Sequence, residues 1–312
     1  MGNSREHHWW PVALQSYWAT LGNVKRMSHN GNTQSKKYWN AKIARKSHGH
    51  TIVLDHDFWR DNFEDAFREA DDSIHRVAQG CMRLFSLTKF VKLLGRAARS
   101  RISRRTGIED FSEYVYIDAN LRRDLVNLCL SLLIRSPGNR HRLERAGASF
   151  GLPANEEVGK MNMKIQVERM NEHYKDGFRG NVFPLIIYSH VTEFIYGDGL
   201  LDGISRSVGG TFLRGHALVP LTPHICVLLA TPHNIKGNTN ARTLFAPPWL
   251  VDEINSATQV YSKSVLFYAS RSPTLTEDFK RNEHRCYKGH MTDTIKTLVD
   301  LCGERELRRF FV

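Results

Sequence analysis

Apolar residues recur at helical spacing through the middle of this chain and give way to short, strand-length apolar runs after about residue 177. That change of period constrains the fold more than any other feature, because a three- or four-residue repeat builds one face of a helix and cannot serve as a strand. Phe63, Phe67, Ala70, Ile74 and Val77 predict a first helix, with Asp61, Asp65 and Asp72 opposite. Leu84, Leu87, Val91, Leu94 and Ala98 predict a second. Leu121, Leu125, Leu128 and Leu132 predict a third over about 120–133, closed by Ser136-Pro137-Gly138-Asn139. Val158, Met161, Ile165 and Met170 predict a fourth over about 155–173.

Earlier, Asn30-Gly31-Asn32 reads as a turn and 51–54 as a short strand. Beyond 177, strands are expected at 182–188, 192–196, 217–221, 225–229 and 264–268. The polar segment 233–248 reads as a loop, 249–260 as a helix, and the tail from Met291 to Phe311 as helical. Helices first and strands later predict an α+β fold, a central helical section followed by a mostly antiparallel sheet. The 312 residues fit a single domain over 1–312, with a subdomain boundary near 177 and a C-terminal helical extension over about 290–312.

Charge narrows the partners. The net charge is +12 and the pI about 9.6, which favours polyanions, nucleic acid first. Eight acids lie between Asp55 and Asp72, and eight basic residues with no acid between Arg83 and Arg105. Lys89, Lys92, Arg96 and Arg99 line the far side of the second helix and form a candidate nucleic-acid-binding stripe. The plainer alternative is that this stripe pairs with the acidic helix before it.

Five cysteines, none in a C-x-x-C pair, predict a reducing, cytoplasmic setting. The first residues contain no apolar signal-peptide core, and no apolar run approaches the roughly 18 residues of a membrane span. His284, Cys286 and His290 form an H-x-C-x3-H group that departs from the usual zinc spacings. No P-loop, GxSxG, HExxH or GxGxxG fingerprint stands in a fitting context.

Several short motifs come in a particular order. His7-His8-Trp9-Trp10-Pro11 leads, with Trp18 downstream. Phe67-Arg68-Glu69-Ala70 and the basic stripe follow, then Phe194-Ile195-Tyr196-Gly197-Asp198-Gly199. Pro220-Leu221-Thr222-Pro223 comes next, and Asn255 precedes a final strand. In this order the motifs resemble a bacterial family, domain of unknown function 4238 (DUF4238), over scattered blocks of residues 5–270. The chain departs from the family pattern at the Asp turn, where Gly197 stands for Ser and the Pro is missing. The family name itself implies no reaction.

From the residues, His7 or His8, Glu69 and Asp198 are the candidate catalytic groups. Adjacent histidines point to different sides of the backbone, so one is expected to face a site while the other braces it. Gathered round a divalent cation such as Mg²⁺, these groups would make a metal-dependent phosphodiesterase or nuclease. The alternative is a non-catalytic nucleic-acid-binding or defence-associated interaction protein whose histidine and Asp motifs are structural.

Overall fold

The computed structural model describes residues 6–38, 43–54, 59–86, 91–92, 95, 107–178, 182–232, 240–285 and 293–303. The N-terminal part alternates short strands with one helix: β1 (Glu6–His8), α1 (Val12–Ser16), β2 (Asn23–Ser28), β3 (Thr33–Lys37), β4 (Arg45–Ser47), β5 (Thr51–Leu54) and β6 (Trp59–Asn62). The helical section holds α2 (Arg68–Leu84), β7 (Ser112–Val115), α3 (Ala119–Arg135), α4 (Pro137–Glu144) and α5 (Glu156–Lys175). Then come β8 (Phe183–Tyr188), β9 (Tyr196–Gly197), β10 (His216–Thr222), β11 (Ile225–Ala230), β12 (Ala241–Phe245), α6 (Pro248–Tyr261), β13 (Val265–Tyr268), α7 (Glu277–Lys280) and α8 (Asp293–Asp300). The fold is α+β with mostly antiparallel sheets, as expected.

The larger sheet runs β10-β11-β8-β12-β7, and only the β8–β12 pair is parallel. A second sheet runs β3-β2-β13-β9, all antiparallel. Two small hairpin-like pairs, β1–β4 and β5–β6, stand apart from both sheets.

Helix α3 lies at the centre. Every residue from Asp124 to Arg135 is buried, because α2 and α5 cover one side and β10 and β11 the other. Asp118 starts this helix by accepting from the Asn120 and Leu121 amides. Ser136 starts the next one by accepting from Asn139, with Pro137 at the first helical position. Two of the charged groups that α3 carries inside are paired, whereas the buried Asn127 amide has no side-chain partner among the described residues. Asp124 accepts from Arg76 at 2.7 Å and from the Tyr174 hydroxyl at 2.9 Å, and Arg135 holds Asp71 while its guanidinium lies over the Phe67 ring.

One hydrophobic cluster extends from Trp9 to Cys302, so the core is continuous across residue 177. The N-terminus is fastened into it by aromatic packing, with Trp10 stacked on Tyr196 at 4.7 Å and against Phe267 at 4.5 Å. No helix among the described residues is long and apolar enough to cross a membrane.

Three expectations need correction. Segment 233–248 is not one loop, since Ala241–Phe245 forms a buried interior strand between β8 and β7. Its Arg242 hid it, because a buried arginine breaks an apolar run. Here that side chain is satisfied by the Leu301 carbonyl, the Ser112 hydroxyl and the Tyr114 ring. The strand expected at 192–196 shrinks to Tyr196–Gly197. Strands also begin far earlier than the period change implied, with β2 and β3 forming the hairpin around Asn30-Gly31-Asn32.

Among the described residues, carboxylates of the acidic stretch hold cations outside the basic stripe. Asp65 holds Arg68, Asp71 holds Arg135, and Asp61, on β6, holds Lys164. Of the stripe, Lys92 is exposed and helical, while Lys89, Arg96 and Arg99 lie outside the described residues.

Candidate metal centre

Three backbone segments bring two imidazoles and a carboxylate together. Strand β1 alternates its side chains, burying His7 and leaving His8 half-buried. β1 pairs with β4, His7 opposite Lys46. The turn after β4, with His48 in the left-handed region at φ 51°, delivers His50 beside His7. Gly49 in that turn is closely packed, since a Cβ there would lie 3.0 Å from the Arg140 guanidinium and 3.2 Å from the Lys46 carbonyl oxygen. β5 then pairs with β6, Thr51 opposite Asn62, and the Phe63 amide donates to the His50 carbonyl at 3.0 Å. The hairpin therefore sets Glu64, next in sequence, against His50.

The result is a group of His7, His50 and Glu64 whose ligand atoms all lie within 4.8 Å of one another. Among the described residues no other such group of His, Cys, Asp or Glu occurs. The two rings stack, centroids 5.2 Å apart and 3° from parallel. His7 Nδ1 accepts the His50 backbone N–H at 2.6 Å, and His50 Nδ1 is hydrogen-bonded to the Glu64 carboxylate. His50 also packs on Phe67 and Phe63.

Electrostatics follow from burial. Desolvation pulls the His50 pKa down to about 4, against the raising effect of Glu64, so its ring is neutral at pH 7. Burial alone would raise Glu64, but the hydrogen bond from His50, with the Arg135 charge nearby, holds it below the usual carboxylate value. Neutral His50 thus donates from Nδ1 to an ionised Glu64. Its Nε2 lone pair is then buried without a partner among the described residues, an uncommon cost in a folded interior. His8, held below the usual imidazole range mainly by burial, also leaves its buried Nδ1 unpartnered, within reach of the Glu64 charge.

Two neutral imidazoles and a carboxylate make the donor set of many divalent-metal sites. An ion here would take lone pairs from His50 and Glu64 directly. His7 Nδ1 is already engaged by the His50 amide, so His7 would offer an ion either Nε2 or, at the cost of that hydrogen bond, Nδ1.

The residues expected from sequence are not gathered in one place. His7 is in the group. Glu69 is exposed on the first turn of α2, lining a shallow depression with Arg76, Tyr174 and Lys175. Asp198 is buried and committed to the backbone, accepting from the Lys263 amide at 2.8 Å and the Ser264 amide at 2.9 Å. Burial pushes its carboxyl up, opposed by His284 and these amides. The flanking glycines admit the chain itself rather than a ligand. A Cβ on Gly199 would lie 1.9 Å from the Tyr261 carbonyl oxygen, and one on Gly197 the same distance from Ser262 Oγ.

Sequence reading missed His50 and Glu64. Glu64 was one acid among eight, and His50 sits in a stretch with no apolar period. The usable signal was His48-Gly49-His50 directly before a strand, with an acid two residues beyond the partner strand.

A separate cleft of about 550 Å³ is lined by Tyr17, Phe85, Tyr188, His190 and His224 among others, and none of His7, His50 or Glu64 lines it. The fold and the buried His-His-Glu group define an α+β protein with a candidate divalent-metal centre. Neither protein-family models, nor curated proteins, nor solved structures gave any match to the chain.

Proposed function

We propose that the chain is a metal-dependent phosphodiesterase acting on nucleic acid, with His7, His50 and Glu64 as the ion's ligands. The observation that carries this reading is the meeting of two buried imidazoles and a carboxylate from three separate segments. A bound divalent ion supplies Lewis acidity and an activated water. Imidazole donors suit zinc and related transition ions better than Mg²⁺, which prefers oxygen ligands. The chain's own contribution is to hold the His50 ring neutral and preset: burial keeps it from taking up a proton, and Phe63 and Phe67 fix its plane. Arg135 and Arg140 add positive potential around His50, and the net charge of +12 supports a polyanionic substrate.

The order of the sequence motifs supports membership of the DUF4238 family. A reducing, cytoplasmic setting belongs to the same reading, supported by four cysteines that are free and buried.

The test is metal analysis of the purified protein, followed by cleavage of bis(p-nitrophenyl) phosphate, single-stranded DNA and RNA. Each is assayed after chelation and again with zinc, manganese or magnesium restored. Cleavage that requires the metal and disappears in His50→Ala and Glu64→Gln supports the proposal. Cleavage undiminished in both variants, or a protein that retains no divalent ion, sinks it.

One observation favours a second reading. His7 already spends its Nδ1 lone pair on the His50 amide, as a structural brace would. On this reading the chain is a non-catalytic nucleic-acid-binding or defence-associated interaction protein, and its affinity for nucleic acid falls steeply with salt.

A further inference from the structure

A second polar cleft lies beside α4, at His284, the first residue of the H-x-C-x3-H group, whose Cys286 and His290 lie outside the described residues. Its volume is about 260 Å³, smaller than most pockets for drug-sized ligands and suited to a compact one. His141, from α4, and His284, from the segment after α7, face each other there with ring centroids 5.4 Å apart. His284 Nδ1 donates to the Tyr261 carbonyl at 3.1 Å, which leaves Nε2 as the nitrogen available to a ligand.

The surrounding charge is one-sided. Burial lowers the His141 pKa, and His284, Arg145 and Lys263 all lower it further; no acid appears among its influences. The nearby carboxylates are spent elsewhere. Asp202 is taken by Arg142 and by the Ser205 amide and hydroxyl, and Asp198 by two backbone amides. Arg285 is matched by Asp278 and Glu283. Arg145, on the cleft wall, and Lys263, within range of His141, have no carboxylate partner among the described residues. Two unneutralised cations beside two facing imidazoles form a local excess of positive charge.

We propose that this cleft is a phosphoryl-binding site, distinct from the His7–His50–Glu64 group and independent of the function proposed for it. A phosphate-class oxyanion accepts from Arg145 and from the ring N–H of His141, an O–H of the phosphoryl group donates to His284 Nε2 where it carries one, and Arg145 and Lys263 balance its charge. The phosphoryl group comes either from free phosphate or from a nucleotide, and the chemistry of the site is common to both.

Calorimetric titration with inorganic phosphate, thymidine 5′-monophosphate and a dinucleotide tests the proposal, with chloride held constant. Binding of phosphate alone identifies the free ion, and tighter binding of either nucleotide identifies a nucleic-acid fragment. His141→Gln/His284→Gln is expected to weaken binding at least about tenfold, with its fold checked by circular dichroism. Arg145→Ala alters an exposed residue and is expected to weaken binding severalfold without a change in melting temperature, so the test survives if the double variant misfolds. His50→Ala is expected to leave the affinity unchanged. No binding of any of the three probes at millimolar concentration, or equal binding by wild type and Arg145→Ala, overturns the proposal.

Discussion

The rings of His7 and His50 lie parallel, 5.2 Å apart, although 43 residues separate them, and the His50 amide donates into the His7 ring at 2.6 Å. This contact ties β1 to the β5–β6 hairpin, and Glu64 joins the group through its contact with His50 Nδ1. The group is therefore structural as well as a candidate for binding a metal, and the two roles separate experimentally.

Replacing His50 with Ala strands both the Glu64 carboxylate and the space beside His7. It is expected to cost about 2 kcal/mol of stability, measured by urea denaturation. Zinc added to the chelated wild type is expected to raise the melting temperature by ligand linkage and to leave that of His50→Ala unchanged. An equal rise in both would place the ion elsewhere.

Acid sensitivity follows from the same burial. The folded-state pKa of His50 is depressed from 6.5 to about 4, so between those values the unfolded chain takes up a proton that the folded chain refuses. The associated stability is full above about pH 6.5 and is lost as pH falls toward 4. Its size is on the order of 3 kcal/mol. His8, His141 and His216 are also lowered and act in the same direction. Denaturation curves from pH 7.5 to 4 should therefore fall less steeply in His50→Gln than in wild type.

Asp198 is expected to behave as a brace. Asp198→Ala removes the acceptor for the Lys263 and Ser264 amides, at a cost of about 2–3 kcal/mol. Metal affinity, measured by competition with a chromophoric chelator, should stay at the wild-type value. A loss of metal binding in a folded Asp198→Ala protein would return this residue to the site.

Glu69 supplies the opposite control. It is exposed, and Glu69→Ala should change stability by less than about 0.5 kcal/mol and leave metal-dependent cleavage intact. Abolished cleavage would mean that the shallow depression beside α2 takes part in the reaction.

What the sequence disclosed depended on local period. The helices α2, α3 and α5, the strands β8, β10, β11 and β13, and the turn at Asn30-Gly31-Asn32 are all short-range patterns and were legible. Strand β12 was hidden because its buried Arg242 is satisfied by residues distant in the chain. The site was half legible. His7 stood out beside His8, whereas His50 and Glu64 become partners only through the β5–β6 register, which no local spacing reveals.

The ordered motifs also have a structural account. Trp18 donates from its indole to the Leu221 carbonyl at 3.1 Å, and Asn255 bonds the Glu193 carbonyl and the Ile195 amide. Asp198 holds the start of β13. Motifs scattered along the sequence thus clasp one another across the core, which explains polar residues at those places without assigning them chemistry.

Helix α4 carries neighbouring residues toward two different places. Arg140 reaches the Gly49 carbonyl at 2.8 Å, beside His50, and His141 turns into the cleft with His284. Two turns of helix thus serve both places at once, and a break in this rod would free Arg140 from Gly49 and His141 from His284 together.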